Sequence, residues 1–186
     1  MKFFKIIIII FISLTSSIKA DSQQKLINEL KEGGKIIFIR HAYAPGNGDP
    51  LNFDKKDCST QRNLNDQGIQ QAKKIGLFFL KNEIVVDDVY SSEWCRCKDT
   101  AKYAFGEFET FDALNSFYQA KFSKNKDKQI KDLKKFIEIW NDDKNLILVT
   151  HYVVISEMLG VGVGSGEIIV SDKNYNINGS IKIRYK

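Results

Sequence analysis

The chain has 186 residues, of which 43% are hydrophobic and 27% charged, with only two prolines. That length holds one domain rather than two of ordinary size, and that composition excludes a disordered, collagen-like or disulfide-scaffold chain. The net charge of +5 comes largely from the N-terminus: without residues 1–20, which hold three lysines and no acid, 25 basic and 23 acidic residues remain, too even a balance to call for nucleic acid as a partner.

In chain order, Lys2 and Lys5 precede an apolar run from Ile6 to Ile12, and a polar stretch leads to Ile18-Lys19-Ala20. A basic start, a short apolar centre and a small final residue describe a secretory signal peptide over residues 1–20. The run falls short of the roughly 20 residues of a membrane span. The expectation is an exported protein, periplasmic or secreted, with no stable membrane insertion and a mature domain over 21–186. An uncleaved N-terminal anchor is the alternative, because Ile18 is large for its place.

Residues 23–31 read as a short helix stopped by Gly33-Gly34. Lys35 to Arg40 (KIIFIR) is a continuous apolar run of strand length. Asn65 can cap a helix with Ile69, Ala72, Ile75, Gly76 and Phe79 at helical spacing. A strand over Val85 to Ser91, a helix over 94–105 and a third strand over Glu107 to Phe111 follow. Residues 128–141 put Ile130, Leu133, Ile137 and Trp140 on one helix face. The lysines from Lys121 to Lys135 alternate with Asp and Gln and read as a solvated face. Asn145 to Thr150 is another short apolar strand, and a helix to Leu159 comes next. Gly160 to Gly166 reads as a mobile loop, and strands over 167–171 and 180–185 as a pair turned by Asn178-Gly179. Apolar strands alternating with amphipathic helices predict a three-layer α/β/α sandwich around a mostly parallel central sheet. Chemistry in such a fold gathers at the carboxyl ends of the strands.

The chain has two histidines, and each directly follows an apolar strand: KIIFIR-His41 and NLILVT-His151. A single histidine so placed is more often structural than catalytic, but two at equivalent strand ends weaken that reading. Arg40 precedes His41, Arg96 lies just inside the helix after the second strand, and Arg62 sits in the long loop before the Asn65 helix. A guanidinium fork suits bidentate phosphate binding, although any one of these arginines, Arg62 above all, can equally form a surface ion pair. Together the set points to phosphoryl transfer through a histidine nucleophile.

Of the three cysteines, Cys58, Cys95 and Cys97, an oxidising compartment leaves one disulfide and one thiol. Cys95 and Cys97 do not face each other on a helix, so Cys58 pairs with one of them. Cys-x-Cys without a nearby histidine is poor metal-ligand spacing, and no metal or cofactor is expected.

Four segments in order now carry a resemblance: FIRHA, RNLNDQGIQQA, SSEWCRCKDTA and VTHY. They resemble the signature segments of the histidine phosphatase superfamily, the group of phosphoglycerate mutases and phosphohistidine phosphatases, over about residues 35–160. The resemblance implies a phosphoglycerate mutase-like fold, His41 as the phosphorylated nucleophile, Arg40 and Arg96 gripping the phosphoryl oxygens, and His151 completing the pocket. Three places depart from the family pattern. Ala42 and Tyr152 each replace a glycine after a histidine, and Ser116 stands where many members carry a glutamate as general acid. Glu93, beside the start of the Arg96 helix, and Asp49, in the first loop, are the candidate substitute acids; either can equally be a cap or turn residue, a reading favoured for Asp49 and left open for Glu93. The expectation is a monomeric, metal-independent phosphatase acting on a phosphorylated small molecule or envelope component. A phosphohistidine phosphatase and an inactive phospho-ligand-binding member are the alternatives, and mutase chemistry is ranked last.

Overall fold

The structure, a computed structural model, describes residues 21–140 and 143–185, so the expected signal segment lies outside the described residues. Helix α1 covers residues 21–32. Then come β1 (Ile36–Arg40), α2 (Asp66–Lys81), β2 (Asp88–Ser91), α3 (Cys95–Phe105), β3 (Glu109–Thr110), α4 (Ala120–Ser123), α5 (Lys126–Ile139), β4 (Leu146–Thr150), α6 (Tyr152–Leu159), β5 (Glu167–Ser171) and β6 (Ile177–Lys182).

The strands form one sheet in the order β3-β2-β4-β1-β5-β6. The β3, β2, β4 and β1 neighbours run parallel, and β5 and β6 are antiparallel additions at the other edge. The continuous apolar runs have a direct cause. In β1, Ile37 and Ile39 enter one buried cluster while Ile36 and Phe38 enter the other. In β4, Ile147 and Val149 split from Leu146 and Leu148 in the same way. Alternate side chains of a central strand cover opposite faces, so a strand buried on both sides must be apolar at every position. Leu30 of α1, Ile75 and Phe79 of α2 and Ala101 of α3 close one face; Leu133 and Ile137 of α5 and Val154 and Ile155 of α6 close the other. These are the three expected layers.

Asn65 caps α2 as its spacing predicts, its side chain accepting from the Gly68 N–H. Gly76 lets α2 lie close on α3: a Cβ there would collide with the Ala104 carbonyl.

Three expectations are corrected. Val85 is exposed and the second strand starts only at Asp88. The last strand lies earlier than expected, and Asn178-Gly179 falls inside it, with Gly179 paired to Val170. The turn is instead made by Asp172, whose Oδ1 accepts from the N–H groups of Asn174 and Asn176, with Tyr175 at φ 65°. Gly179 is explained by packing, since a Cβ there would lie 2.8 Å from the Leu26 side chain. Finally, the run Gly160 to Gly166 is tied down rather than free. Arg40 Nη1 donates to the Val163 carbonyl, Gln71 Nε2 to that of Ser165, and the Gly164 N–H donates to Glu167.

Cys58 is bonded to Cys95, and Cys97 is a buried thiol. The bridge ties the β1–α2 loop to the first turn of α3 across a separation of 37 residues. Replacing Cys58 with serine is expected to lower unfolding stability by about 3 kcal/mol, chiefly by freeing the unfolded chain. Urea unfolding of the oxidised wild type beside the variant checks this; equal midpoints would mean that the loop is held without the bridge.

Candidate active site

Strand pairing brings the two histidines together. Arg40 stands opposite Thr150 in the β1–β4 ladder, and the His41 N–H donates to the Thr150 carbonyl. The next residue of each strand is therefore a histidine at the carboxyl edge, and the two rings lie 5.5 Å apart between centroids. Both rings are buried.

Hydrogen bonding fixes their tautomers. His41 Nδ1 lies 2.8 Å from the Ala42 carbonyl, an acceptor only, so Nδ1 carries the proton and Nε2 keeps a lone pair. His151 Nδ1 lies 3.4 Å from Arg96 Nη2, a donor only, so its proton is on Nε2, which donates to Ser92 Oγ at 2.8 Å. Ser92 Oγ in turn donates to Asn115 Oδ1, and Asn115 Nδ2 donates to Glu93. Burial, then the Arg96 charge, holds both imidazoles well below the ordinary histidine range. They stay neutral in the folded protein while the unfolded chain protonates them below about pH 6.5. The unfolded state thus binds more protons, and stability must fall as the pH drops through that value. Urea unfolding at pH 7.5 and 5.5 is expected to differ by up to about 3 kcal/mol for the pair; no loss at pH 5.5 would mean that the rings titrate normally.

Three guanidinium groups surround the rings in a cavity of about 140 Å³ that Arg40, His41, Arg62, Arg96 and His151 line together. Arg62 gives Nε to the Gly48 carbonyl and Nη1 to that of Ala44, and burial followed by the Arg96 charge lowers it to about 10. Arg40 Nε and Arg96 Nε are both buried without an acceptor among the described residues. Buried donors of this kind are costly unless a ligand supplies the missing acceptor.

Glu93 does not join this group. Its Oε2 accepts from Lys55 and Asn115 outside the histidine cavity, and these bonds outweigh burial to keep its carboxyl low. Ser116 lines the cavity, with its Oγ accepting from the Tyr118 N–H. Asp49, read in the sequence as a turn residue, instead enters the cavity. Its Oδ1 accepts from Arg96 Nη1 at 2.7 Å and its Oδ2 from Arg96 Nη2 at 3.2 Å and Trp94 Nε1 at 3.0 Å. The Arg62 N–H completes the set at 3.1 Å. Burial raises the Asp49 carboxyl, but the Arg96 bonds and charge outweigh it and hold it below its ordinary value. A lone acid between glycine and proline gives no sequence signal of this contact. Spacing gives no sign of Gln71 either: from α2 it accepts from the Tyr43 N–H and donates to Ser165 and Ile183, clamping the segments that flank His41. Cys97 lies 3.4 Å from His151 Nε2, but burial raises its thiol to about 12, so it supplies no thiolate.

An imidazole lone pair facing three guanidinium groups is suited to accept a phosphoryl group and to bind its oxygens. Comparisons with known proteins bear on the fold and the family. No curated protein matches the chain. Among solved structures, the protein histidine phosphatase SixA complexed with tungstate is similar at 13% identity and TM-score 0.55, covering 79% of this chain and 96% of that one. The putative phosphohistidine phosphatase SixA from Agrobacterium tumefaciens gives 18% identity and TM-score 0.57 over 80% and 97%. The protein TTHB049 from Thermus thermophilus gives 15% and 0.57 over 81% and 96%. These likenesses concern the fold. The family model for the histidine phosphatase superfamily (branch 1) matches residues 36–149, from the first strand to the second residue before His151, and the chain belongs to that superfamily.

Proposed function

We propose that this phosphatase is an exported, metal-independent enzyme that hydrolyses phosphomonoesters through a phosphohistidine on His41. The observation that carries the reading is the neutral His41 ring, its Nδ1 engaged by Ala42, beside buried Arg40 and Arg96 Nε–H groups that have no acceptor among the described residues. In the first step His41 Nε2 attacks phosphorus and the bond to the leaving oxygen breaks. Arg40, Arg62 and Arg96 stabilise the charge on the equatorial oxygens, and His151 closes the pocket beside Arg96. Water then displaces the imidazole and releases phosphate. The Cys58–Cys95 bond supports export, because oxidising compartments are where such bonds persist.

The test is rapid quenching of residues 21–186 with a radiolabelled aryl phosphate in the presence of a chelator. The reading requires protein-bound label that is stable in alkali and lost in acid, formed at a rate no slower than turnover. Turnover that needs an added metal, or turnover with no such label, would overturn it. A phosphohistidine peptide assayed alongside separates the second reading, which Ser116 favours because such a leaving nitrogen does not depend on a carboxylic acid here.

A further inference from the structure

The carboxylate of Asp49 occupies the fork of the guanidinium that should hold phosphate. Its side chain is 4% exposed, Arg96 is 3% exposed, and the two meet through both carboxylate oxygens and both terminal nitrogens. It is the one carboxylate that lines the cavity among the described residues. The other groups facing it are unsuited to give up a proton. Arg40, Arg62 and Arg96 carry guanidinium groups, far weaker acids than a carboxyl group, and Trp94 Nε1 already donates to Asp49. The His151 proton is committed to Ser92. Ser116 carries only a hydroxyl, and the phenols of Tyr118 and Tyr152, weaker acids than a carboxyl group, belong to residues exposed at the rim.

Resting on the phosphatase reading, we infer that Asp49 is the catalytic acid that protonates the leaving oxygen of a phosphomonoester, taking the place that Ser116 cannot fill. A phosphate that enters the cavity draws Arg96 toward its own oxygens. Asp49 then loses part of its cationic partner and gains an anionic neighbour, and both changes favour its protonated form. A monoester bound as its monoanion brings the proton needed, which passes to the Asp49 carboxylate. As the bond from His41 Nε2 to phosphorus forms and the ester bond breaks, the Asp49 proton moves to the departing oxygen and an alcohol leaves. In the second half, water bonds to phosphorus as the bond to Nε2 breaks, and its proton returns to Asp49. The Asp49 main chain is held for this role: its carbonyl accepts from Gln119 Nε2, and the Gln119 Oε1 is buried without a partner among the described residues.

The experiment compares wild type and Asp49→Asn on 4-nitrophenyl phosphate, whose leaving group needs no proton, and on glycerol 2-phosphate, whose leaving group does. The expected result is a loss of about 10²-fold or more in kcat/KM for the alkyl ester and a far smaller loss for the aryl ester. Equal losses would make Asp49 only the residue that positions Arg96, and no loss would remove it from the reaction. If the variant does not fold, the wild type alone decides, across monoesters graded by leaving-group acidity. A shallow dependence supports a proton donor and a steep one overturns it. Label on His41 with a steep dependence leaves the phosphatase reading standing without Asp49; absence of label and turnover ends both.

Discussion

Replacing His41 with alanine is expected to cut kcat by at least about 10⁴-fold and to abolish the alkali-stable label. The ring is the group positioned to form a bond to phosphorus, and the arginines alone can bind phosphate without opening a new path for it. Folding should survive, because among the described residues the His41 side chain makes a single hydrogen bond, to its own neighbour Ala42. The unfolding midpoint at pH 7.5 therefore reports intact structure while turnover vanishes. Substantial remaining activity with no label would point to direct attack by water and remove the covalent intermediate.

Arg96→Ala carries the second large effect, and it acts on two properties at once. It removes a cation beside the nucleophile together with the buried Nε–H that has no acceptor among the described residues, which should cost about 10²- to 10³-fold in kcat/KM. It also leaves the Asp49 carboxylate buried with only the Arg62 and Trp94 N–H groups, which should cost about 3 kcal/mol of stability. Adding Asp49→Asn to Arg96→Ala should recover part of the stability and none of the activity. That non-additivity, read in urea unfolding, marks a directly coupled pair. If the two stability losses simply add, the ion pair is not what holds the loop to α3.

The chemical residues were legible because they sit beside regular elements. A continuous apolar strand must end at the sheet edge, so His41 and His151 could be placed before their distance was known, and Asn65 marked the start of α2 by its capping chemistry. The loop from Ala42 to Leu64 has no such period. Its path depends on Arg62 meeting the Gly48 and Ala44 carbonyls, on Gln61 Oε1 accepting from the Cys95 N–H, and on the disulfide. Each is a long-range contact, and so the engagement of Asp49 with Arg96 could not be read from spacing. The same cause hid the fixing of the glycine run, where Gln71 reaches across 94 positions to Ser165. Glu93 looked suitable because it stands near Arg96 in sequence. In the turn before α3, however, its side chain points elsewhere, toward Lys55 and Asn115.

The leftover thiol has a consequence for how the protein is lost rather than how it works. Exchange between a thiol and a disulfide needs a thiolate, and Cys97, fully buried with its ionisation pushed up to about 12, provides none while the chain is folded. The Cys58–Cys95 bond is therefore safe from its near neighbour only as long as α3 stays packed on β4. Once heat or denaturant frees Cys97, its acidity returns to the ordinary range and three pairings become open to three sulfurs. Two of them trap the chain in a wrong register, so exposure to alkaline warmth converts a reversible opening into permanent inactivation, at a rate that the acidity of a single atom governs.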